Sequence, residues 1–90
     1  MIERIVGPIH GFYLACYTLE LAGEFYGYAK ICLTQVDDVW TARAERKISV
    51  GPCISELDAI NAVVERARGR LREREIAFGK TWRLHGRDMF

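Results

Sequence analysis

The stretch FYLACYTLELAGEFYGYAKICLT, residues 12–34, decides the fold. Phe12 to Leu21 is rich in aromatic and aliphatic residues and carries no helix-capping signal, which suits a strand, although apolar residues fall on both parities. Ala22-Gly23-Glu24 interrupts the run and Phe25 to Thr34 resumes it, the pattern of a β-hairpin whose tight turn uses Gly23 at positive φ. A two-residue turn, at Ala22-Gly23 or at Gly23-Glu24, places Phe12, Leu14 and Cys16 on one face with Phe25, Ala29, Ile31 and Leu33. A three-residue turn would reverse the first strand and bring Tyr13, Tyr17 and Leu19 to that face instead.

Downstream, Gln35-Val36-Asp37-Asp38 is a second break, and Val39 to Val50 reads as a third strand. Trp40, Ala42, Ala44, Ile48 and Val50 share one parity and Thr41, Arg43, Glu45, Lys47 and Ser49 the other, one dry face and one wet. Gly51-Pro52 ends that strand. Ser55 is then placed to cap a helix whose first turn carries Glu56 and Asp58. Leu57, Ile60, Val64, Ala67 and Leu71 recur at helical spacing with Val63 beside them. A helix from Glu56 to about Glu75 is roughly 30 Å long, matching a ten-residue strand. The expected fold class is therefore α+β, a three-stranded antiparallel sheet packed on one C-terminal helix (β-β-β-α). It occupies a single domain, residues 1–90, with an N-terminal arm (1–11), a core (12–76) and a C-terminal tail (77–90). Phe78, Trp82, Leu84 and Phe90 make the tail too apolar for an ordinary disordered end, so it is expected to dock on the sheet or on a second copy. Glu20 and Arg46 fall on the core parity, where an ion pair near the open end of the sheet would accommodate both.

With 90 residues the chain has room for one domain. Its longest apolar candidate, Gly11 to Ala22, is broken by Thr18 and Glu20, too short and too polar to span a membrane. Met1 to Pro8 has neither a basic leader nor an apolar run, which points to a cytoplasmic protein. Three cysteines, Cys16, Cys32 and Cys53, contain no Cys-x-x-Cys pair and read as reduced, core-filling thiols, so no metal site is expected. The net charge is +1, but residues 1–65 hold five basic and nine acidic side chains while residues 66–90 hold eight and three. Arg66, Arg70 and Arg74 form a candidate basic patch there, interleaved with Glu73 and Glu75 and preceded by Glu65.

Nothing in the sequence assembles a catalyst. There is no phosphate loop, no Gly-x-Gly-x-x-Gly, no His-Glu-x-x-His and no Gly-x-Ser-x-Gly, and His10 and His85 stand far apart without a motif around either. Neither an enzyme nor a cofactor is expected. The informative feature is the face turned away from the helix, which collects Tyr13, Tyr17, Leu19, Tyr26, Tyr28, Lys30, Arg43, Glu45 and Lys47. Such an amphipathic patch suits a protein partner or a homodimer, unless the tyrosines pair across strands and are covered by the ends of the chain. The alternative is nucleic acid, with rings stacking on bases and Lys30, Arg43, Lys47 and the helix-end arginines meeting phosphate. Acidic neighbours and near-neutral charge weigh against it.

Gly23-Glu24-Phe25-Tyr26-Gly27 in a hairpin, Trp40 opening the third strand, and Ser55 with Ala59-Ile60 opening a helix resemble small uncharacterised bacterial β-β-β-α proteins over roughly residues 12–75. The layout is loosely similar to AP2-type and integrase-arm DNA-binding domains, which present a three-stranded sheet to the DNA groove. Those sheets are strongly basic, whereas here tyrosines dominate. The resemblance therefore transfers no DNA-reading residue.

Overall fold

The sheet has four strands, not three. The computed structural model describes residues 1–89, with side chains as far as Glu73. Strands β1 (Glu3–Ile9), β2 (Phe12–Leu21), β3 (Glu24–Cys32) and β4 (Arg46–Cys53) form an antiparallel sheet in the order β1-β2-β3-β4, followed by helix α1 (Glu56–Met89). The stretch read as an N-terminal arm is the added strand, with Glu3 opposite Tyr17 and Val6 opposite Leu14. Its alternation is short and is interrupted by Gly7-Pro8, so it carries little strand signal by itself.

The central hairpin turns on Ala22-Gly23, at φ 53° and 80°, and Leu21 pairs with Glu24. This is the two-residue connection that matches the twist of the flanking strands. It sets the register in which Leu14, Cys16, Ala29 and Ile31 face the helix, where all four are buried. Beyond β3 the expected third strand is displaced. It begins at Arg46, and residues 33–45 form an irregular strap across the other face. The Asp38 carboxylate accepts the Trp40 N–H at 3.1 Å, which turns the chain where alternation predicts extension. Ile48 and Val50 do join the helix-side core, while Trp40 and Ala42 belong to the strap. Glu20 lies opposite Phe25 and Arg46 opposite Ile31. Those positions are roughly 20 Å apart along β3, so the expected ion pair between Glu20 and Arg46 is ruled out.

Ser55 caps α1 as expected, its hydroxyl accepting the Asp58 N–H at 3.1 Å. The buried stripe is Ala59, Ile60, Val63, Val64, Ala67 and Leu71. Leu57, assigned to it from spacing, is 57% exposed. The cause is Gly27, because a Cβ there would overlap the Ala59 carbonyl. The helix thus sits on the sheet through Ala59, and Leu57, about 200° around the axis, points away. The helix also continues to Met89 instead of ending near Glu75. Expected docking by Phe78 and Trp82 concerns side chains outside the described residues. No described helix is long and apolar enough to cross a membrane.

Both edges of the sheet carry the same device. In β1 the register shifts between Val6 and Ile9, and in β4 it shifts where Gly27 faces Val50 and Phe25 faces Cys53. Each bulge is a Val-Gly-Pro, Val6-Gly7-Pro8 and Val50-Gly51-Pro52, lying against a Phe-Tyr of the inner strand. A Cβ on Gly7 would lie 2.9 Å from the Phe12 carbonyl oxygen, and one on Gly51 would lie 2.9 Å from that of Phe25. At φ 136° and 129° these positions also exclude ordinary side chains. Gly51-Pro52, expected to end the third strand, instead sits inside β4 as this bulge. Gly51→Ala should cost about 1–3 kcal/mol from backbone conformation alone, a fall in Tm of ~5–20 °C by calorimetry. Gly27→Ala should lower Tm by at least as much, because it lifts the helix from its seat.

Candidate functional site on the outer sheet face

Tyrosines gather on the outer face because they alternate with the helix-facing residues of β2 and β3. Across neighbouring strands the outward rows read Glu3, Tyr17, Tyr28 and Ser49, then Ala15, Lys30 and Lys47, with Tyr13 beside Cys32 and Leu19 beside Tyr26 at either end. Tyr17 and Tyr28 stack with centroids 5.2 Å apart. Thus the sequence-predicted tyrosines do share one face, with Lys30 and Lys47 among them.

Half of that face is already occupied. Val36 and Val39 of the strap are buried against Ala15 and Cys32, with Tyr13 and Tyr17 alongside. Trp40 continues the cover, its ring 4.7 Å from that of Tyr17 and its Nε1 donating to Glu3 at 2.9 Å. Lys30 reaches up from β3 and donates to the carbonyls of Val39, Trp40 and Ala42 at 2.9, 3.3 and 3.4 Å. The sequence left open that the ends of the chain cover the tyrosines; the cover seen here comes from the internal strap. Signals for it were present in Val36 and Val39 three residues apart within a segment rich in turn formers, but a strand period explained Trp40 equally well.

The other end of the face is open. Leu19 and Leu21 are 36% and 54% exposed. Tyr26 donates to the Glu24 carboxylate at 2.9 Å. That bond, and the charge of the same carboxylate, hold the phenol above its ordinary range. Lys47 and Arg43 are exposed. Arg66 and Arg70 project from α1, which covers the opposite face of the sheet, so they do not converge with the tyrosines. Arg74 lies outside the described side chains. An open groove of about 290 Å³ runs between β1 and the strap, lined by Glu3, Arg4, Ile5, Asp37, Asp38 and Val39. Among the described residues no group of three or more His, Cys, Asp or Glu is placed to hold a metal ion.

The thiols differ sharply. Burial pushes Cys16 up to about 11, with Arg4 partly opposing, and burial also raises Cys32 against the pull of Lys30. Cys53 is partly exposed. Comparison with protein-family models, with curated proteins and with solved structures finds no match.

Two outcomes follow from this geometry. Lys30→Met removes a charged donor from three carbonyls at a cost of about 1.5–3 kcal/mol, and amide exchange should accelerate across residues 33–45 while Leu14 and Ile31 stay protected. In native protein at pH 9, a thiol reagent should label Cys53 and leave Cys16 unmodified, since only about 1% of a thiol titrating near 11 is ionised there. Rapid labelling of Cys16 would contradict its burial.

Proposed function

We propose that this chain is a non-enzymatic interaction module that binds another protein, or a second copy of itself, through the open end of its outer sheet face. The observation that carries this is the uneven cover of that face. The strap shields Tyr13, Ala15 and Tyr17, while Leu19 and Leu21 are exposed beside a half-buried Tyr26 that no strap covers. Exposed aliphatic side chains beside a tyrosine with a polar tip are the composition of a protein interface core. Tyr26 and Leu21 are the residues on which affinity should concentrate.

Binding of nucleic acid is less well supported, although both readings use the same face. Lys30, its central cation, is committed to three strap carbonyls. Tyr17 is covered by Trp40, and Arg66 and Arg70 project from the helix on the opposite face. Among the described side chains, Arg43 and Lys47 are the cations left on this face, too few for a phosphate-tracking groove.

Labelled protein titrated with itself, with an apolar peptide and with short oligonucleotides distinguishes the two. Protein binding should shift Leu19, Leu21 and Tyr26, vary little between about 50 and 200 mM salt, and weaken about tenfold on Tyr26→Ala. Oligonucleotide-driven shifts at Arg43 and Lys47 that collapse over the same salt range would replace this proposal with the nucleic-acid one.

A further inference from the structure

The four strands repeat about a pseudo-two-fold axis normal to the sheet through the Cys16–Ala29 pair. Rotation about it lays Phe12-Tyr13 on Phe25-Tyr26 and Val6-Gly7-Pro8 on Val50-Gly51-Pro52, and both bulges fall at the same place, Ile9 facing Phe12 and Cys53 facing Phe25. The backbone atoms against the two glycines are equivalent as well, the carbonyl of the Phe and the Cα of the Tyr in each case. The outer face is consequently two half-sites of one backbone shape. One holds the strap, which lays Val36 and Val39 over Ala15 and Cys32 beside Tyr13 and ends with Trp40 donating to Glu3. Rotation converts that floor to Tyr28, Leu19 and Tyr26, and it converts Glu3 to Lys47. This second half-site has the apolar floor and the edge charge, and no described segment crosses it.

We infer that the second half-site docks a strap-like segment of a partner protein: an irregular stretch with two aliphatic residues three positions apart, followed by a carboxylate that meets Lys47. The aliphatic pair is what Val36 and Val39 supply on the equivalent floor. The carboxylate follows from the inverted edge, since the acceptor Glu3 takes the Trp40 indole N–H whereas the donor Lys47 needs an acceptor. This inference rests on the open face being an interaction surface, and adds to it the chemistry of the partner.

The test uses the full chain, isotope-labelled, and three synthetic peptides. One copies residues 33–45, and the others are the same peptide with Trp40→Glu and with Trp40→Lys. The Trp40→Glu peptide should shift Leu19, Tyr26 and Lys47 and bind more tightly than the unsubstituted one. Lys47→Glu in the protein should erase that preference, a change of roughly two- to fivefold in Kd as expected for one exposed ion pair, and a Trp40→Lys peptide should restore it. Lys47 is exposed, so an unchanged Tm verifies that the variant is folded. Shifts at Leu19 and Tyr26 that are equal for all peptides and indifferent to Lys47→Glu overturn the inferred carboxylate while leaving the interaction face in place. Shifts there that depend on protein concentration alone make a second copy the occupant and overturn the separate partner. No shift at those residues with millimolar peptide overturns the docking of such a segment, and the face itself then stands or falls on self-association.

Discussion

Everything in this molecule is arranged around the point where the helix backbone comes down on Gly27. A side chain there would collide with the Ala59 carbonyl, so the sheet must present bare backbone to let the helix approach. Small residues continue the seat, with Cys16, Ala29 and Ala67 buried around it and Leu14, Ile31, Ile60 and Val63 filling the space beyond. Close approach increases the number of dispersion contacts each side chain makes, which matters in a chain whose core is limited by its length. It also sets the rotation of the helix about its axis, which is why Leu57 faces solvent and Ala59 does not.

One helix can cover only one face, and the opposite face is handled by different means. The strap supplies few apolar side chains of its own, Val36, Val39 and Ala42, and is held largely by polar and aromatic contacts. Lys30 is the central one. Its stem rises from the sheet and its ammonium gathers three carbonyls of an irregular turn that would otherwise need water. A residue that looks from sequence like a phosphate contact thus acts as a structural tie. The same holds in part for Glu3, which anchors the Trp40 indole.

The repeated Val-Gly-Pro clasps bear on association. Edge strands are templates for pairing with other chains, and a bulge with proline disrupts that template on each side of this sheet. The edges thereby offer little to strand pairing, and the association proposed above relies on side chains of the open face instead. The pseudo-two-fold relation gives that face two equivalent floors, one closed by the chain itself and the other presenting Leu19, Leu21 and Tyr26.

Local chemistry carried the parts of the fold that the sequence by itself determined. The hairpin follows from Gly23 between two strand-like runs, whereas its register, left open by apolar residues on both parities, was fixed by the two-residue turn at Ala22-Gly23. The helix start follows from Ser55, and most of its buried stripe from three-and-four spacing. Those signals are short-range, and pairing then propagates them across β2 and β3. The tyrosine face was legible for the same reason. Tertiary structure alone decided that residues 3–9 form a strand, since Gly7-Pro8 obscures its alternation until Phe12 and Tyr13 are seen beside it. It also decided that Trp40 lies over Tyr17 instead of facing the helix. Alternation places a side chain on one face or the other of a strand, but it cannot say that the segment has left the strand. That depended on Lys30 and Glu3, remote in sequence, offering the strap partners that an extended continuation of β4 would not have had.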